Sequence, residues 1–153
     1  MVRCRTSSRR FAGRVADTDV LLVVDASVIV QIGLAGGSLG PLAGHDLVAP
    51  PLLMSEVTSV LCEMTYRGEV PPDQARVAVE ILANLPIRYE RPDGLATRAW
   101  DLARSLGWAK SYDAEYVALA IVSEAAFVTI DERMRRGVGH LVPVPSPADL
   151  TAG

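Results

Sequence analysis

The run "DVLLVVDASVIV", residues 19–30, constrains this chain more than any other stretch. From Val20 to Val24 it is continuously apolar and valine-rich, with no polar residue at alternate positions, so a strand formed here buries both faces. Strands buried on both faces belong to parallel sheets whose crossover helices cover each side. The same run holds Asp25 in its middle. A carboxylate in apolar surroundings is costly unless hydrogen bonds, an opposite charge or a cation compensate it.

Downstream, apolar runs alternate with helical patterns. A helix is expected from Ser27 to about Leu34, capped by Ser27 and ended by "GGSLG". A short strand "LVA" comes next, and Pro50 and Pro51 then open a helix whose Val57, Val60, Leu61 and Met64 recur at helical spacing up to Gly68. Pro71 and Pro72 start another, reaching Asn84. "IRYE" reads as a strand. Leu95, Ala99, Leu102 and Leu106 form one face of a helix closed by Gly107, and Ser111 is the expected cap of a further helix through Ala125. "FVTI" reads as a buried strand, "ERMRR" as a helical turn and "HLVPV" as a last strand. The pattern predicts one α/β domain of three layers, helices on both sides of a central, mostly parallel sheet of about five strands.

At 153 residues, half of them hydrophobic, the chain suits a single core. The first 19 residues hold five arginines and two aspartates and are expected to form a basic, disordered extension. The remaining 134 hold ten basic and sixteen acidic residues, a net charge of −6 that argues against a broad cationic footprint for nucleic acid. Asp17, Asp19 and Asp25 interrupt the apolar segment after the basic start, so no export signal is expected, and Asp25 and Gln31 break the run that would otherwise approach a membrane span. Two cysteines, Cys4 and Cys62, make neither a disulfide framework nor a zinc pattern, which suits a reducing cytoplasm.

In open parallel sheets, ligands collect beyond the carboxyl ends of the strands. Asp25 ends the first strand and Asp131 comes directly after "FVTI"; Asp113 and Glu56 fall in early turns of two helices. Four carboxylates from separated segments are thus aimed at one edge. Two unit charges about 4 Å apart repel by roughly 4 kcal/mol at an effective dielectric near 20, so such a set takes up protons or a cation. Oxygen donors without histidine or cysteine suit hard ions such as Mg²⁺ or Mn²⁺. No G-x-G-x-x-G or Walker A motif is present, "DAS" replaces the D-x-D of an aspartyl phosphatase, and His45 and His140 have no partner spacing.

"VVDASV", "PPLLMSEV", "SYDAEYVALA" and "VTIDERM", in this order, resemble the PIN domain, and most closely the VapC-type ribonuclease toxins of bacterial toxin-antitoxin pairs. The resemblance runs from about Val20 to Leu150. It implies a PIN-like nuclease domain over residues 20–150. It further implies a metal-dependent endoribonuclease acting as a toxin, with Asp25, Glu56, Asp113 and Asp131 as catalytic and metal-holding residues. A VapB-like antitoxin, an RNA substrate and a homodimer are the partners it implies. The alternative is a non-catalytic PIN-like module for RNA binding or assembly.

Each acid also has a structural reading: Asp25 as a helix cap, Asp113 as a helix-dipole partner, Asp131 as a turn residue and Glu56 as a solvent-facing helix glutamate. Ser27 and Thr129 stand beside the acidic positions as supporting hydroxyls. Lys110, Arg133, Arg135 and Arg136 flank the set as candidate RNA contacts.

Overall fold

The computed structural model describes residues 20–150; the basic extension expected over residues 1–19 lies outside the described residues. Four strands, β1 (Leu21–Val24), β2 (Asp46–Ala49), β3 (Ile87–Tyr89) and β4 (Ala126–Val128), form one sheet in the order β3-β2-β1-β4. Every pairing is parallel, with Leu22 beside both Leu47 and Ala126. β1 is central, and Leu22, Val23 and Val24 are fully buried, as its unbroken apolar run requires.

The connections decide where the helices lie. α1 (Ala26–Leu34) joins β1 to β2, while α2 (Leu53–Tyr66) and α3 (Pro72–Leu82) join β2 to β3. These steps advance across the sheet in one direction, so right-handed crossovers place all three helices on one face. α4 (Leu95–Ser105) and α5 (Tyr112–Val122) lead back past β1 to β4, which puts them on the other face. The packing agrees: α1, α2 and α3 contact one another, α4 packs on α5, and α5 lies against β1 and β4. α6 (Glu132–Val138) and the short α7 (Pro147–Leu150) complete the described residues.

α1 and α3 approach closely at Gly33, where an added Cβ would lie 2.7 Å from a Leu82 methyl carbon. That approach packs α1 closely against α3 within one covering layer.

The expected fifth strand does not form. "HLVPV" runs as a turn and irregular chain, and the sheet has four strands among the described residues. Phe127 N–H donates to the Pro143 carbonyl at 2.9 Å, but Pro143 has no N–H to return a bond, and Pro145 restricts the residue before it. The helix expected through Ala125 ends at Val122, because Glu124 takes a left-handed φ of 51° and the Glu124 and Ala125 N–H groups fold back onto Ile121 and Ala120.

Candidate active site at the reversal of strand order

Strand order reverses beside β1, whose neighbours β2 and β4 are entered by connections running in opposite directions. A crevice opens there because the chains leaving the two strands separate to opposite faces. The peptide after β1 is held to β4 by the Asp25 N–H, which donates to the Val128 carbonyl at 3.3 Å.

Asp25 has extended backbone and caps α1: Oδ1 accepts the Val28 N–H at 3.1 Å and the Ser27 hydroxyl at 2.6 Å. This corrects the assignment of the cap to Ser27. A cap residue needs non-helical backbone, and the first such residue after the strand is Asp25; Ser27 is already inside the helix. Ser27 instead ties the two strand ends together. Its Oγ accepts the Ile130 N–H at 3.3 Å and lies 3.5 Å from the Thr129 hydroxyl. Thr129, fully buried, accepts the Asp131 N–H at 3.0 Å. Asp131 in turn caps α6, its Oδ1 accepting from Arg133 N at 2.8 Å and Met134 N at 3.1 Å. Both aspartates at the strand ends are therefore caps whose carboxyl groups are oriented by the fold.

The other two acids arrive from opposite faces of the sheet. Glu56 stands in the first turn of α2, half-buried, and its Oε2 accepts the Tyr116 hydroxyl at 2.5 Å. Tyr116 is 1% exposed and lies one turn beyond Asp113 on α5, so this bond connects the two helical layers through the site. Asp113 is half-buried in the first turn of α5, with an Arg133 Nη2 4.0 Å from its Oδ2. The Ser111 side chain makes no cap hydrogen bond, because its backbone is already helical.

Burial raises all three inner carboxyl groups above their ordinary range. For Asp25, burial is the main cause, opposed by Ser27, Thr129 and Val28 and reinforced by the Asp113 charge. For Glu56, burial is again largest; the Tyr116 hydrogen bond opposes it, and Asp113 and Asp25 add to it. Burial also leads for Asp113, with Arg133 and Lys110 lowering and Asp131 raising. Tyr116 is pushed far up by burial and by Glu56, so its hydroxyl stays a donor. Asp25, Glu56 and Asp113 thus feel one another, and Asp131 acts on Asp113.

The donor set is oxygen-only and suits a hard divalent cation. Among the described residues, however, no three histidine, cysteine, aspartate or glutamate side chains stand close enough together to hold an ion.

The flanking cations divide. Arg133 faces Asp113, and exposed Lys110 lies within the electrostatic reach of the same carboxyl. Arg135 pairs with Glu132 at 3.7 Å, and Arg136 is exposed on α6. Tyr116 is the site residue that sequence reasoning missed. Its signal was a hydroxyl one turn after Asp113 on an apolar helix face, where burial demands a partner.

A doubly covered parallel sheet with acids placed around its reversal point defines the class as a three-layer α/β domain with an acidic strand-end site. Residues 22–138 match the PIN domain family, and the chain belongs to it. It is 33% identical over 115 residues to Ribonuclease VapC9 of Mycobacterium tuberculosis, covering 74% of this chain and 88% of that protein. Ribonuclease VapC1 of the same organism is 32% identical over 124 residues, covering 76% and 90%. The crystal structure of PAE2754 from Pyrobaculum aerophilum superimposes with a TM-score of 0.66 at 20% identity, covering 88% of this chain and 99% of that one. VapBC2 from Rickettsia felis, solved bound to a DNA fragment from its promoter, gives a TM-score of 0.59 at 11% identity, covering 83% and 98%.

Proposed function

We propose that this protein is a VapC-type endoribonuclease, the toxin of a toxin-antitoxin pair, hydrolysing RNA phosphodiester bonds in a Mg²⁺- or Mn²⁺-dependent reaction in the cytoplasm. The observation that carries the reading is the set Asp25, Glu56 and Asp113, brought from the end of β1 and the first turns of α2 and α5 to the reversal of strand order, each raised above its ordinary pKa chiefly by burial and further by a neighbouring carboxylate. A site that bears such repulsion without chemical use is hard to account for in a binding module.

Asp25, Asp113 and Asp131 are the residues that would hold the cation, with Glu56 as a further ligand or acting through water. A bound divalent ion supplies Lewis acidity toward phosphate and acidifies the attacking water. The protein's own groups do the positioning. Ser27 and Val28 fix the Asp25 carboxyl, which burial shields from bulk water, and Tyr116 fixes Glu56. Arg133 and Lys110, beside Asp113, offset the repulsion between the acids and an incoming phosphate.

A VapB-like antitoxin and a homodimer complete the reading. It is supported by the two relatives named ribonucleases and by the structural likeness to a VapBC complex. An arginine side chain is the natural complement to the clustered carboxylates, so the antitoxin is expected to insert one. Among the described residues no helix is long and apolar enough to cross a membrane.

The test is cleavage of single-stranded RNA with Mg²⁺ or Mn²⁺. Wild type is expected to cut, and Asp25→Asn and Asp113→Asn to lose at least about a hundredfold in rate, since an oriented charge stabilising the transition state is commonly worth that much. Equal cleavage by all three proteins in the presence of chelator would refute the metal mechanism.

A further inference from the structure

Between α4 and the start of α5 lies a cavity of about 490 Å³, lined by Trp100, Arg104, Trp108, Lys110 and Tyr112 among others. Its composition differs from that of the rest of the molecule. The chain has two tryptophans and one lysine, and all three line this single cavity. Trp100 is 59% and Tyr112 57% exposed, so both rings reach solvent at the cavity. The Arg104 guanidinium lies over the Trp100 ring, 5.9 Å from its centroid. Neither Arg104 nor Lys110 forms an ion pair among the described residues, as is also true of Arg91, Arg98 and Arg136. Lys110, at one end of the cavity, lies within electrostatic reach of the Asp113 carboxyl.

Exposed aromatic faces interleaved with unpaired cations on an otherwise acidic body match one ligand chemistry. Unstacked bases stack on aromatic rings, while their phosphates seek arginine and lysine. A protein partner complementary to this face would need acidic and aromatic groups alternating at the same spacing; a nucleotide carries both features in one unit.

We propose that this cavity is a nucleotide subsite, in which an unpaired base of the RNA, flanking the bond to be cut, stacks on Trp100 or Trp108 while Arg104 and Lys110 hold its phosphates. The inference rests on the ribonuclease reading for the identity of the ligand. It adds a positive-face recognition element that the acidic crevice lacks, and makes preference for a flanking base a property of α4 and the loop to α5.

Both tryptophans report on this one place, so intrinsic fluorescence reads it directly. Asp25→Asn protein in Mg²⁺ buffer, titrated with a single-stranded RNA 12-mer, is expected to show quenched tryptophan emission. In the otherwise wild-type protein, Trp100→Ala is expected to raise KM about tenfold with little change in kcat, Trp100→Phe to recover most of the loss, and Trp100→Leu to recover little. Lys110→Gln is expected to lower the salt dependence of RNA affinity by about one counterion. A wild type that cuts RNA, with no tryptophan quenching and with unchanged KM in Trp100→Ala, would overturn the subsite and leave the nuclease intact. Quenching and weakened binding in a protein that never cuts would uphold the subsite and overturn the nuclease reading. Quenching by a protein partner with none by RNA, or a changed oligomeric state in Trp100→Ala at unchanged RNA affinity, would also overturn the subsite in favour of a protein contact.

Discussion

Asp25 holds two roles that separate on substitution. Its Oδ1 caps α1 through Val28 N–H and receives the Ser27 hydroxyl, while burial penalises its charge. Asparagine keeps a cap acceptor and removes the charge; alanine removes both and strands two donors. Without metal, Asp25→Asn is therefore expected to melt no lower than wild type, and Asp25→Ala to lose about 1 kcal/mol or more. Thermal melts in chelator check this, and an asparagine variant destabilised as much as alanine would mean that the charge itself serves the fold. Tyr116→Phe tests the neighbouring bond. It leaves the packing of a fully buried ring intact but removes the donor to Glu56, so a loss of about 1 kcal/mol is expected together with slower cleavage. The position of Asp25 and Asp131 was legible in the sequence, because an acid that ends an apolar run must lie at a strand's carboxyl end. Tyr116 as the partner of Glu56 was not, since the bond joins residues 60 positions apart and local pattern carries no information about it.

Elements were read best where periodicity and punctuation agreed. Pro72 opens α3 and Gly107 closes α4 with a left-handed φ of 69°, as their chemistry demands. The errors fell where a local rule competed with tertiary geometry. "HLVPV" has strand composition, yet its proline denies the sheet a donor. α5 ends early, at Val122, and Glu124 occupies the left-handed position of a Schellman-type turn usually filled by glycine. A non-glycine residue there carries a steric penalty, so Glu124→Gly is expected to stabilise the protein by about 1 kcal/mol with the helix boundary unchanged. An equilibrium denaturation curve with raised midpoint and the same slope checks it. This site lies at the far end of α5 from Asp113, and cleavage is expected to be unaffected.

For the whole molecule, the fold concentrates raised carboxyl groups at the reversal of strand order, and pH and metal are expected to act on them in opposite senses. Asp25, Glu56 and Asp113 all have folded-state pKa values above their ordinary values of 3.8 and 4.5. The charged neighbours are Asp131, Arg133 and Lys110 around Asp113, and Glu115 near Glu56. For a raised acid, the unfolded chain releases its proton first as pH rises, so folding stability from these groups is greatest below the ordinary values and falls as pH climbs through the folded ones. In chelator, the melting-temperature gap between Asp113→Asn and wild type should thus be near zero below about pH 4 and grow in the variant's favour toward about pH 7. Mn²⁺ is expected to reverse this, because an ion that binds the ionised, folded site would stabilise it by mass action. Millimolar Mn²⁺ is expected to raise the wild-type melting temperature increasingly as pH rises, and to raise that of Asp113→Asn far less. Melts at three pH values with chelator and with Mn²⁺ decide it: a wild type indifferent to Mn²⁺ across the whole range, with a gap that does not change with pH, would mean that these carboxyl groups serve the helix ends alone.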